Sequence, residues 1–287
     1  MLDSPHAAMP IVGATHWRTR HLLDVDQLDR AEIVRCLDLA IEMRELRERG
    51  ERLETLASEL VGLAFAEPST RTRVSFEIAA TSLGAQVVDL PMAASSSTKG
   101  ESLVDTLLTL QRTGITTLVL RHSASGAPYL AARATDLRIV NAGDGTHAHP
   151  TQALLDALTL RDTLGGLEGA VVAIVGDIGH SRVARSNMLL LTRLGATVRL
   201  SGPPAWIAGF ARPGVELHPD VDDALDGSDA VMALRVQLER NAAGGVPSLR
   251  EYTARWGLNE ARVQRARPGA PVLHPGPTNQ GVELTAG

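Results

Sequence analysis

Cysteine is nearly absent from this chain. Cys36 stands alone, which excludes an internal disulfide and a zinc site built from several thiolates. It falls in a helical pattern with Ile33, Leu37, Ala40 and Ile41 and reads as a small buried hydrophobe. Aromatic residues make up only 3%, leaving few platforms on which bases could stack. A formal net charge of −5 lacks the basic excess of a nucleic-acid-binding domain. No uninterrupted apolar run approaches the ~18 residues of a membrane span. The start, Met1 to His6, shows no basic stretch leading into an apolar core, so no secretory leader is expected and a cytoplasmic location is. His147 and His149 have no third ligand at recognisable metal spacing. Neither a P-loop nor a Ser/His/Asp motif is present, so no metal or other cofactor is expected, and neither nucleic acid nor membrane is an expected partner.

Lysine is scarcer than any composition average would suggest. Of 28 basic residues only Lys99 is lysine; every other one is arginine. An ammonium is a compact charge on a flexible stem, whereas guanidinium is a planar fork. Lys99 sits among Ser95, Ser96, Ser97, Thr98 and Gly100, a polar loop suited to contacting an anion.

What is present is an alternation of short apolar runs and helical patterns over 287 residues, enough for two domains. A helix is predicted over about 27–49, with Asp24 to Asp26 as its cap and Gly50 as its stop. Strands follow near 60–66, 85–90, 115–120 and 138–141, with helices near 70–83, 101–113 and 127–134 between them. A helix near 150–164, entered through Pro150, leads to further strands near 170–175, 196–201, 214–217, 229–234 and 271–273. Such alternation implies parallel sheets covered on both faces. The expected fold class is α/β, with two doubly wound parallel-sheet domains, residues 1–146 and 147–287, and a site in the cleft between them.

The segment Glu67-Pro68-Ser69-Thr70-Arg71-Thr72-Arg73 closes the first strand and opens a helix. Free N–H groups and the helix dipole favour an anion there. Hydroxyls interleaved with arginine forks suit phosphate oxygens better than an ordinary cap, which needs one hydroxyl. In open α/β sheets, sites gather at the carboxyl ends of strands. Arg121, His149, Arg182, Arg235 and His274 all fall at such ends. His149 and Gln152, three apart at a helix start, share a face and can hydrogen-bond a small carbonyl or amide. Gly176 to Arg182 follows a strand but has G-x-x-G rather than the G-x-G-x-x-G of a dinucleotide site. Arg182 there suits a substrate carboxylate, and equally a solvated helix start. Arg235, Gln237 and Arg240 add further donors, though Arg240 with Glu239 also fits a plain ion pair. The chemistry implied is a phosphorylated small substrate beside a carboxylate-rich one, with positioning and electrostatics supplying most of the catalysis.

The run from Glu67 to Glu77 resembles the carbamoyl-phosphate signature of the aspartate/ornithine carbamoyltransferase family. Ser95 to Glu101, His149-Pro150-Thr151-Gln152, Gly176 to Arg182, Arg235-x-Gln237 and His274-Pro275-Gly276-Pro277 also resemble it, nearly end to end and in order. His-Pro-Gly-Pro resembles the aspartate branch, where ornithine enzymes typically carry His-Cys-Leu-Pro. The resemblance implies transfer of the carbamoyl group of carbamoyl phosphate to L-aspartate, an early step of pyrimidine biosynthesis. It implies that Ser69, Thr70, Arg71 and Thr72 hold the phosphate. Thr72, Arg121 and His149 would polarise the carbamoyl oxygen, Gln152 would bind the carbamoyl amine, and Pro275, Gly276 and Pro277 would line its pocket. Arg182, Arg235 and Gln237 would take the aspartate carboxylates. Ser95 and Lys99 would come from a neighbouring subunit of a homotrimer, with Lys99 catalytic and contacting the aspartate. A regulatory chain or a dihydroorotase partner is compatible with the resemblance. The alternatives are a catalytically weak scaffold homologue, or transfer to another amino acid. Two departures stand out: Gln280 where the family usually has arginine, and an end at Gly287 where members usually continue for about one more helix, from which weaker domain docking is expected.

Overall fold

The computed structural model describes residues 17–90, 92, 102–237 and 248–285. The first helix, α1, spans Arg30–Glu48. It does not begin at Asp24–Asp26 as the sequence pattern suggests. Those residues belong to a separate 3-10 turn, Val25–Gln27, and α1 is capped instead by Asp29. The Asp29 side chain accepts from Glu32 N–H, while Glu32 accepts from Asp29 N–H, a reciprocal capping box. Cys36 on α1 is only half-buried, and burial pushes its thiol up to about 11, an unreactive state at neutral pH.

The first sheet contains β1 (Leu60–Phe65), β2 (Gln86–Leu90), β3 (Thr117–His122) and β4 (Arg138–Asp144), all parallel, in the order β2-β1-β3-β4. The helices α2 (Thr70–Ser82), α3 (Leu103–Arg112) and α4 (Ala127–Ala134) form the crossovers. Alternate residues of β1 face opposite layers. Val61, Leu63 and Phe65 pack with Val119 and Ala80, whereas Ala64 joins Leu118, Leu120, Leu107 and Ala131. Strands β3 and β4 run further than their apolar cores, so Arg121 lies within β3, paired in register with Phe65.

After α5 (Pro150–Leu164) comes the second sheet, built from β5 (Val171–Val175), β6 (Thr197–Ser201), β7 (Val215–His218), β8 (Ala230–Ala233) and β9 (Val272–Leu273). It too is parallel, in the order β7-β6-β5-β8-β9. On one face, Val172 and Ile174 pack with Met188, Leu190 and Leu191 of α6 (Arg182–Arg193). On the other, Ala173 and Val175 pack with Tyr252 and Trp256 of α7 (Leu249–Trp256). Full burial of each such large side chain contributes about 1.5–3 kcal/mol.

The two halves are interlocked. Ile33 and Leu37 of α1, together with Ala153, Ala157 and Leu160 of α5, lie in the same apolar cluster as the second sheet. Arg161 of α5 reaches Asp38 of α1 at 2.7 Å. Strand order reverses on either side of β1 in the first sheet and of β5 in the second. The β1/β3 and β5/β8 boundaries are therefore the two topological switch points, where ligands of open α/β sheets bind.

Candidate active site

Both switch points open on one cleft of about 1300 Å³. Its walls bring together Ser69, Thr70, Arg71 and Thr72 after β1, Arg121 at the end of β3, and His149 and Gln152 at the start of α5. From the second sheet come Arg182 after β5, Arg235 and Gln237 after β8, and Pro275, Gly276 and Pro277 after β9. Ser95 and Lys99, and with them Glu239 and Arg240, lie outside the described residues. Gln280 is exposed and does not line the cleft.

At the α2 end, Ser69 occupies the cap position but makes no cap hydrogen bond. Its hydroxyl donates to Thr72 Oγ1 at 2.9 Å. The first backbone bond of the helix runs from Arg73 N–H to the Ser69 carbonyl. The N–H groups of Thr70, Arg71 and Thr72 therefore precede the ladder, as an anion site at a helix start requires. Arg71 is exposed and its guanidinium lies against Gly276. Gly276 has φ +63°, and a Cβ there would overlap the Arg71 guanidinium. That loop is held by its own histidine: His274 Nδ1 accepts from Gly276 N–H at 2.7 Å, and His274 Nε2 lies 3.3 Å from the buried Glu283.

Arg121 and Arg182 converge from the two sheets. Arg121 Nη1 donates to the Ala142 carbonyl at 3.1 Å, and Arg182 Nη1 to the Gly145 carbonyl at 3.2 Å. Between them lies Gly143, with φ +112°; a Cβ there would stand 3.0 Å from the Arg182 guanidinium and 3.2 Å from Arg121. Only glycine lets the two forks come so near the backbone. Both also meet Glu67, at 3.0 Å for Arg182 and 3.4 Å for Arg121. Arg182 is thus a buried residue of the site wall, not a solvated helix start.

His149 is buried, and burial together with Arg182 and Arg121 drives its imidazole down to about 3. The ring is neutral at pH 7 and can offer one N–H while its other nitrogen accepts. Its backbone N–H donates to Ser186 Oγ at 2.9 Å, and that hydroxyl lies 3.3 Å from Asp24, whose carboxyl burial pushes up to about 6. His147, which fits no partner pattern in the sequence, stands 3.1 Å from Asp144. Gln152 Nε2 donates to Asp156, and Gln237 Nε2 to the His180 carbonyl. Asp177, fully buried, accepts from Gln237 N–H at 3.0 Å and meets His180 Nδ1 at 2.6 Å, tying the loop after β5 to that after β8.

Sequence reasoning missed Glu67 as the carboxylate shared by two arginines, and Asp156, Asp177 and Ser186 as supports. Asp156 had a signal, standing four residues after Gln152 on one helix face. Ser186 and Asp24 had none, because they are 162 positions apart. Among the described residues no group of three or more His, Cys, Asp and Glu could hold a metal, and no helix is long and apolar enough to cross a membrane.

The chain matches two family models. Residues 20–162 match the aspartate/ornithine carbamoyltransferase carbamoyl-P binding domain, and residues 168–287 the Asp/Orn binding domain of the same family. It is 53% identical over 270 residues to the aspartate carbamoyltransferase catalytic subunit of Gluconobacter oxydans, covering 93% of this chain and 86% of that one. With the corresponding subunit of Sorangium cellulosum it shares 52% over 268 residues, 92% of this chain and 83% of the other. Aspartate transcarbamoylase from Trypanosoma cruzi, solved with carbamoyl phosphate and aspartate, superposes with a TM-score of 0.81 at 32% identity, covering 92% of this chain and 87% of that chain. Ornithine carbamoyltransferase from Pyrococcus furiosus superposes equally well, with a TM-score of 0.83 at 26% identity over 93% and 87%. The backbone is therefore common to both branches, and sequence identity separates them. On the two matched domains and these relatives, this chain belongs to the aspartate/ornithine carbamoyltransferase family.

Proposed function

We propose that this chain transfers the carbamoyl group of carbamoyl phosphate to L-aspartate, releasing N-carbamoyl-L-aspartate and phosphate. The observation that carries the reading is the convergence of a helix-start anion site and buried arginines on one cleft. The relatives named for the aspartate reaction support the choice of acceptor. Residues 1–146 contribute the phosphate side and 147–287 the aspartate side, with His149, Gln152 and the loop Pro275 to Pro277 of the second domain reaching the carbamoyl group.

Ser69, Thr70, Arg71 and Thr72 bind the phosphate. Thr72, Arg121 and neutral His149 donate to the carbamoyl oxygen, and Gln152 takes the carbamoyl amine beside the backbone of Pro275, Gly276 and Pro277. Arg182, Arg235 and Gln237 hold the aspartate carboxylates. The aspartate amine attacks the carbamoyl carbon, the oxyanion that forms is stabilised by those donors, and the bond to the phosphate oxygen breaks. The leaving phosphate takes the amine proton, so no protein base is required.

The working unit is a cytoplasmic homotrimer, with Ser95 and Lys99 of a neighbouring subunit completing each site. An exposed apolar patch supports a subunit contact on the first sheet: α2 presents Val74 and Ile78 one turn apart, and β2, an edge strand, exposes Val88. Product formation by the purified chain, with carbamoyl phosphate and either aspartate or ornithine, tests the proposal. Carbamoyl-aspartate alone is the expected result. Preference for ornithine overturns the acceptor, and no turnover in a chain that binds both substrates favours the scaffold alternative.

A further inference from the structure

One buried carboxylate in the cleft has no part in the reaction just described. Asp156 is only 6% exposed. Gln152 Nε2, one turn before it on α5, donates to Asp156 Oδ1 at 2.9 Å. Asn187 Nδ2, on α6, donates to Asp156 Oδ2 at 2.7 Å, and the same nitrogen reaches the Val183 carbonyl at 3.1 Å. No ion pair to Asp156 occurs among the described residues. A buried carboxylate held by two neutral amides and no cation is costly to keep. Burial pushes its carboxyl up to about 6, still below neutral pH.

An ionised carboxylate only accepts hydrogen bonds. A carboxamide carries a donor on one end and an acceptor on the other. With its nitrogen turned to Asp156, Gln152 has Oε1 left to accept from a group in the cleft. We propose that Asp156 is a positioning residue that fixes the polarity of the Gln152 amide, so that an acceptor, not a donor, meets the –NH2 of the carbamoyl group. The inference deepens the carbamoyl-transfer reading and rests on it.

The consequence is selectivity among acyl phosphates. Acetyl phosphate places a methyl group where carbamoyl phosphate has –NH2. Against a fixed, desolvated acceptor the methyl leaves Oε1 unpaired, the kind of mismatch by which sites reject analogues most strongly. If Gln152 were free to rotate, that penalty would shrink. Asp156 therefore acts on donor choice, through Gln152, without touching the transferred carbon.

The test measures kcat/KM for carbamoyl phosphate and for acetyl phosphate with aspartate, reading N-carbamoyl- and N-acetyl-aspartate separately. Asp156→Leu, close to isosteric and unable to accept, should lower the carbamoyl-over-acetyl preference at least tenfold. A reciprocal exchange provides a second, independent arm. Gln152→Glu alone sets two carboxylates against each other and should lose at least 100-fold in kcat/KM for carbamoyl phosphate. Adding Asp156→Asn restores an N–H···O pair of opposite sense, keeps an oxygen facing the cleft, and should recover at least tenfold. A purely structural role for Asp156 gives no such rescue. An unchanged preference in folded Asp156→Leu, or a double variant no better than Gln152→Glu, overturns the proposal while leaving the reaction intact. Should Asp156→Leu fail to fold, the exchange decides. A wild-type chain that makes neither product overturns the reaction itself, and this inference with it.

Discussion

Arg182 Nη2 donates to Glu67 Oε2 at 3.0 Å, joining the start of α6 to the loop that leaves β1. The same oxygen lies 3.4 Å from Arg121 Nη2. One carboxylate thus gathers guanidinium groups from both sheets at the mouth of the proposed carbamoyl pocket. Two arginines drawn so close would repel without it, and each would have several rotamers to choose from.

Neutralising that carboxylate should therefore hurt catalysis more than folding. A hydrogen bond to a charged group contributes about 1.5–3 kcal/mol, or roughly 10–100-fold in rate. Glu67→Gln is expected to lower kcat/KM for aspartate by about that factor. Glu67 keeps partial contact with solvent, so its ion pairs are screened and the thermal midpoint should shift little. Steady-state kinetics beside a thermal melt separate the two effects; undiminished kcat/KM would remove Glu67 from the site.

Arg71 tests the phosphate end. It is exposed, and its guanidinium lies against Gly276, so truncation has little packing to destroy. Charge-assisted contacts to phosphate are about twice as strong as neutral ones. Arg71→Ala should weaken carbamoyl phosphate binding by two orders of magnitude or more while the melt is unchanged. Calorimetric titration with a phosphonate analogue reads this directly, and wild-type affinity would refute the assignment.

Gly276→Ala probes the same contact from the other side. A Cβ at φ +63° costs about 1–2 kcal/mol in left-handed backbone, and it would push the Arg71 fork aside. The expected result is a rise in KM for carbamoyl phosphate of about tenfold or more, without loss of secondary structure by circular dichroism. Unaltered KM would mean that Arg71 reaches the phosphate from another rotamer.

Legibility followed distance along the chain. The helix 127–134 and the helix 150–164 have the bounds the sequence suggests, because Gly126 and Pro150 open them and Gly165 closes the second. The interleaved hydroxyls and arginines after Phe65 were readable as an anion site because the whole device spans four residues. Arg121 stands at the carboxyl end of its strand as the apolar pattern suggests, one residue further in, since β3 continues beyond its apolar core to His122. The sequence offers Asp24 and Asp29 as equally good caps, with Gln27 and Glu32 three residues on; in the structure Gln27 accepts from Leu23 N–H instead, and the reciprocal box closes at Asp29 and Glu32. What could not be read was pairing across the fold. Glu67 meets Arg182 over a separation of 115 residues, and Asp156 meets Asn187 over 31. No local period records such contacts; the first exists only once two sheets have closed on each other, the second only once α5 and α6 have packed side by side.

The protonation of His149 makes the last prediction. In the unfolded chain an imidazole titrates near 6.5; burial and two neighbouring arginines bring it to about 3 in the folded protein. Between these values the unfolded state binds a proton that the folded state refuses, so stability rises with pH across that window. The contribution is complete above about pH 6.5 and is lost as pH falls towards 3. Asp24 and Asp156 act with the opposite sign, because burial raises both to about 6 and the folded state holds protons that the unfolded chain has released. Their contribution declines as pH rises from about 4 to 6, and it masks His149 in the bare stability curve. The difference between wild type and His149→Gln isolates it. Measured by urea unfolding, that difference should be flat above pH 7 and should shrink by at most about 1.4 kcal/mol per pH unit below 6.5. A difference that stays parallel from pH 7 to 5 would mean the ring is charged or exposed in the folded state, and a cationic His149 could no longer be the neutral donor proposed for the carbamoyl oxygen.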